Sequence, residues 1–266
     1  MKLFTSLLAA LIVANSSVAG HLPDHILKTV TENINTGPGI QDARYAEIQK
    51  LCIRAFGDEL AEDDLVALSD FADGNTSFTQ SQEESYWRIA ANFAVFNVDG
   101  DVDRLYNLAA GKHLDVAIAS LNVLRVLEPD PAIGDFFITR FFDDWDRSTD
   151  KQNNDRRGEW CSVIAEGLIR HAGQKLSTDI VPFIDKRVLD TTMMVSLFFA
   201  AIEQASVNEG AYAIARITFS RTMEPFYLSD MASALRSINQ ERVVAQKADA
   251  LNKAVNALAP ATVGFD

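Results

Sequence analysis

The sequence predicts an all-α fold. From Gln41 onward, apolar residues recur at three- and four-residue steps, and no stretch sustains the two-residue alternation of a half-buried strand. The breaks between periodic segments carry helix caps and turn residues rather than hairpin signals.

The elements follow in order. A helix is expected over about Gln41–Phe56, with Tyr45, Ile48, Cys52 and Phe56 on one face, and another over Glu59–Phe71, followed by a polar loop from Asp73 to Ser81. The next runs near Glu83–Phe96 with Tyr86, Ile89, Ala90 and Phe93 inward, and ends at the turn Asn97-Val98-Asp99-Gly100. Asp101–Ala110 leads at once to His113–Leu127. Asp130-Pro131 then opens a helix with Asp as cap and Pro in the first turn, where its missing N–H costs nothing. Ile133, Phe137, Phe141 and Trp145 fall at four-residue steps along it. A charged loop from Asp146 to Arg157 precedes a helix over Gly158–Ala172. Ser177 caps a helix holding Ile180, Pro182, Phe183 and Leu189; Asp190-Thr191 opens one with Met194, Phe198, Ile202 and Ala205; Asn208 caps Ala211–Phe219. Two further helices are expected around Ser229–Ser237 and Glu241–Leu258.

From about residue 83 the helices come in pairs, and the second members begin near His113, Arg157 and Thr191. These spacings of 44 and 34 residues straddle the ~40-residue period of two-helix repeats. In Asp179–Ala205, the early Pro182, Asp190 after Leu189, and Val195 followed by Ala200, Ala201 and Ile202 resemble the HEAT-like repeat pattern. Leu105–Leu127 resembles it more loosely through Asp115, Val116 and Ala119. The resemblance covers about half of the mature chain and implies a paired-helix α-solenoid; an irregular helical bundle is the alternative that the same amphipathic helices can build.

The first nineteen residues read as an export signal: Lys2, an apolar run from Leu7 to Ala14, then Ser17-Val18-Ala19 as a small-x-small cleavage site. The run is shorter than the ~20 apolar residues a membrane span needs, and no later stretch approaches that length. The expected organisation is a signal peptide, 1–19, and a single all-helical domain, 20–266, in the periplasm or outside the cell. The chain carries 24 basic and 37 acidic residues, a net charge of −13. That disfavours nucleic acid and anionic membrane, whose phosphates need neutralising, and favours a basic partner.

Cys52 and Cys161 each lie on an apolar stripe. They form either a disulfide, which an exported protein would keep, or two buried free thiols. No metal site or cofactor is expected: two Cys make no zinc site, His21 and His25 are separated by Pro23, and His113 and His171 fall at a helix start and on an apolar stripe. Asn97, Asp99, Asp101 and Asp103 alternate like calcium ligands, but Val102 and Leu108 occupy the positions where the EF-hand needs Gly and Glu. Glu84-Ser85 is similar to the catalytic pair of lytic transglycosylases, without the Gly-Leu-Met-Gln type segment that accompanies it. No nucleophile elbow, zincin or phosphate-loop motif occurs, so no residue is assigned a catalytic role.

The densest acidic run is Asp58, Glu59, Glu62, Asp63 and Asp64, the expected partner-binding surface if it is more than a solvated helix face. The functional expectation is an exported, non-enzymatic helical-repeat protein that binds another protein, such as an inhibitor or immunity-type protein. The alternatives are a cell-envelope enzyme acting on a glycan such as peptidoglycan through paired carboxylates in a groove, and a ligand carrier with an apolar cavity.

Overall fold

A computed structural model describes residue 22 and residues 24–36, 43–57, 60–74, 82–111, 114–144, 157–187, 190–222 and 225–258. Every regular element among them is a helix: α1 Asp24–Thr36, α2 Ala43–Phe56, α3 Glu62–Asp73, α4 Gln82–Asp99, α5 Val102–Ala110, α6 Leu114–Val126, α7 Pro131–Asp144, α8 Arg157–His171, α9 Val181–Lys186, α10 Thr191–Ile202, α11 Glu209–Arg221 and α12 Pro225–Leu258. A π-helical turn, Leu176–Ile180, runs into α9. No helix among the described residues is long and apolar enough to cross a membrane. The signal-like segment, His21, His113, Trp145 and the 146–156 loop lie outside the described residues.

The caps predicted at Asp130 and Asn208 are made, and Asp101 and Asp190 cap their helices too; Ser177 caps none, because it falls inside the π-helical turn before α9, whose start has no side-chain cap. The Asp101 carboxylate accepts from the Asp103 N–H, Asp130 from Ala132, Asp190 from Thr192 and Met193, and the Asn208 side chain from Ala211. The turn expected at Asn97–Gly100 is shorter than predicted: α4 continues through Asp99 and the chain turns at Gly100 and Asp101, with Gly100 at φ 69° and the Asp99 carboxylate accepting from the Asp101 N–H.

Two further expectations are corrected. No helix is evident from the sequence around Pro23, yet α1 starts at Asp24, directly after the proline; Ile26, Val30 and Ile34 form its buried stripe. The two expected C-terminal helices are one, because Ile238, Asn239 and Gln240 offer neither Gly nor Pro to break it.

The chain divides into two compact units, residues 1–136 and 137–266. In the first, α2 packs on α1, α3 and α4, while α4 packs on α3 and α5, and α5 on α6. Ile89 to Asn97 of α4 are all buried, which makes α4 the axis of this unit. Its polar side chains fasten the helix ends around it. The Asn97 amide donates to the Ala55 carbonyl at 3.2 Å and accepts from the Leu22 N–H at 3.0 Å. Asn92 donates to the Ala72 carbonyl and accepts from Arg104 Nη1. Arg88 donates to the carbonyls of Phe71 and Gly74, and to the Glu84 carboxylate at 2.8 Å. These donors satisfy carbonyls that a helix C-terminus leaves without intrahelical partners. Glu84, the carboxylate of the transglycosylase-like pair, is thereby held by Arg88.

In the second unit α10 packs on α8, α11 and α12, and α11 on α9 and α12. The Phe137 ring lies over α8 between Gly167 and His171, stacked on the imidazole at 6.0 Å between centroids. A Cβ on Gly167 would meet that ring at 2.2 Å, so only glycine admits the approach.

Cys52, in the first unit, and Cys161, in the second, are buried free thiols. Desolvation pushes both pKa values up, that of Cys161 to about 12 with Asp190 adding to the rise and Arg157 opposing it. Burial raises Tyr86 to about 12 as well, with the Cys52 thiolate adding to it. Groups whose folded pKa exceeds the unfolded value keep their protons longer in the native state. Their contribution is full below about pH 9 and is lost as pH rises through about 12. Unfolding followed by urea at pH 8 to 11 should therefore show falling stability at the alkaline end. Thiol titration should give no reaction in the native protein and two equivalents in denatured, unreduced protein; zero equivalents after denaturation would establish a disulfide.

Candidate functional site

Glu62, Asp63 and Asp64 of the expected acidic surface form the first turn of α3, while Asp58 and Glu59 lie outside the described residues. Carboxylates in a first turn face the positive end of the helix dipole, and Asp64 also accepts from Arg54 Nη1 at 2.7 Å. These acidic residues thus have a structural use within the chain.

A concave site lies in the second unit, where α8, α10 and α12 enclose a cleft of about 450 Å³. Its walls are rows at three- and four-residue steps on two helices. From α8 come Gly158, Ser162 and Glu166; from α10 come Thr192, Ser196, Phe199 and Glu203, with Tyr227 of α12 closing one side. The two helices begin side by side, because Arg157 in the first turn of α8 donates to the carboxylate of Asp190, the cap of α10, at 2.5 Å. They therefore run in the same direction. Their N-termini lie at one end of the cleft, and Glu166 and Glu203 at the other.

The Ser162 hydroxyl donates to Glu166 Oε1 at 2.8 Å, fixing that carboxylate one turn further along α8. Glu203 is exposed at the C-terminal boundary of α10, where it makes no ion pair among the described residues. Phe199 keeps 39 % of its surface exposed, large for a phenylalanine beside such a cleft. Among the described residues no Lys, Arg or His lines the cleft. Cys161, one residue from Ser162, is buried and held protonated, so no thiolate nucleophile is present. Among the described residues no group of three or more His, Cys, Asp or Glu is placed to hold a metal. The arrangement can accept hydrogen bonds, attract cations and stack rings.

Sequence reasoning missed this site although a signal existed. Thr192 and Ser196 make a polar row on an otherwise apolar helix, and Glu203 continues it two turns on; Gly158, Ser162 and Glu166 do the same on α8. Those rows become one cleft only when helices more than thirty residues apart are set side by side.

The fold and site together define an all-helical protein with an anionic, ring-flanked cleft. Comparison with protein-family models, with curated proteins and with solved structures gives no match.

Proposed function

We propose that this chain is an exported helical-repeat protein that binds a basic segment of another protein, in the manner of an inhibitor or immunity-type protein. The observation that carries the reading is the α8–α10 cleft, which presents Glu166 and Glu203 with no basic residue among its described lining. The net charge of −13 draws a basic partner toward it, raising the association rate more than the final affinity. The signal-like start supports the exported address. A HEAT-like stack is supported by α8 and α10 running parallel as helices two places apart, with α11 packed on both α9 and α10.

The test is fluorescence anisotropy of the full chain with a labelled decapeptide rich in Arg and Lys, against an Asp/Glu-rich peptide of equal length. The basic peptide is expected to bind, with an affinity that falls as salt rises from 20 to 300 mM, roughly the range over which surface charges become screened. Absence of binding at low salt would remove the reading.

Glu166 and Glu203 in one cleft also favour, as a second reading, an envelope enzyme acting on a glycan through paired carboxylates. Release of reducing ends from peptidoglycan, abolished by Glu166→Gln, would install that reading in place of the first.

A further inference from the structure

We infer that the cleft recognises a guanidinium group, an arginine side chain of the basic partner, with Glu203 as its anion and Phe199 and Tyr227 as its aromatic walls. This rests on the reading of the cleft as a site for a basic segment and names what that segment must contain.

Glu203 carries its charge where a helix disfavours it. Carboxylates stabilise helix N-termini and oppose C-termini, yet Glu203 stands at the C-terminal boundary of α10, a helix with no basic residue in its last turn. Nothing among the described residues neutralises it. A cation arriving from outside would meet the carboxylate and the negative end of α10 together. Phe199, one turn before Glu203 and on the same face, offers its exposed ring beside that position.

The chain already holds one of its own arginines by this combination. The Arg242 guanidinium lies 4.1 Å from the Tyr212 ring centroid, donates to the Ala205 carbonyl at 2.8 Å and pairs with the Glu209 carboxylate. Carboxylate, ring and further oxygen acceptors recur in the cleft as Glu203, Phe199 with Tyr227, and the Ser162 and Ser196 hydroxyls. A planar guanidinium uses all three at once: it stacks, it presents five donors in a fixed fork, and it is more weakly hydrated than an ammonium. Lysine offers a compact, strongly hydrated charge that exploits the carboxylate alone. A cleft of about 450 Å³ has room for the side chain and the flanking peptide backbone.

The test is an NMR titration of the full chain with the N-acetyl amides of arginine, lysine and citrulline, on wild type, Glu203→Gln and the control Glu241→Gln. The arginine amide is expected to shift resonances of Phe199, Glu203 and Tyr227. The lysine amide should bind more weakly and the citrulline amide not at all, with Glu203→Gln losing about tenfold or more in affinity, the scale of a hydrogen bond to a charged group. Glu241→Gln should match wild type. Equal response to lysine, shifts confined to other surfaces, or an unchanged Glu203→Gln would overturn the inference. If the basic decapeptide binds wild type and Glu203→Gln equally, the inference fails while the basic-partner reading stands; if the decapeptide does not bind at all, that reading fails with it.

Discussion

Phe137→Ala should lower stability by about 3–5 kcal/mol, the range for deleting a fully buried aromatic ring. Gly167→Ala should cost about 1–3 kcal/mol, because the added methyl must displace the Phe137 ring from a built distance of 2.2 Å. The two changes should not add. With Phe137 removed, the Gly167→Ala methyl enters the vacated space, and alanine's better helix propensity, about 1 kcal/mol over glycine, turns the second substitution from harmful to neutral or stabilising. Urea unfolding of the four chains measures the cycle. An equal penalty for Gly167→Ala in both backgrounds would show that the ring and the glycine do not meet.

Arg88→Ala should cost about 3 kcal/mol. It removes the guanidinium from the Glu84 carboxylate, whose side chain keeps only 21 % of its exposure, and strips donors from the Phe71 and Gly74 carbonyls. The magnitude sits at the low end of the usual range for breaking a buried pair because neither side chain is fully desolvated. Arg88→Lys should recover little of it: an ammonium cannot span both carbonyls and the carboxylate as the guanidinium does, nor stack as flatly on Phe71, whose centroid lies 5.0 Å away. A lysine variant as stable as wild type would mean that charge alone matters there.

The helices were legible because burial imposes a period. Phe137 and Phe141, or Ile133 before them, mark a buried face whatever packs on it, and Asp101, Asp130, Asp190 and Asn208 mark starts because their side chains reach their own helix's first N–H groups. Local chemistry of this kind needs no knowledge of the rest of the chain. The cleft was not legible, because what makes Ser162, Glu166, Ser196 and Glu203 a site is the lateral placement of α8 beside α10. That placement depends on the Arg157–Asp190 contact and on a π-helical turn that no periodicity announces. Conversely, the acidic run at Glu62–Asp64 stood out by density alone, and density does not distinguish a docking surface from a helix start. The first helix is masked in the sequence by Pro23, although the Ile26, Val30, Ile34 stripe that follows it carries the helical period.

Every described side chain of α12 from Val243 to Lys253 is exposed, so the second half of this 34-residue helix rests on no neighbour described. Its turns are held by its own backbone bonds, by alanines at 245, 248 and 250, and by local pairs such as Asp249 with Lys253 at 2.7 Å. An unsupported helix of about sixteen residues is marginal in water. Heating will therefore fray this arm turn by turn well below the temperature at which the packed units lose their cores. The circular dichroism of the native protein will decline with a slope before its cooperative step, and the first proteolytic cuts will fall in the arm while the rest of the chain stays closed.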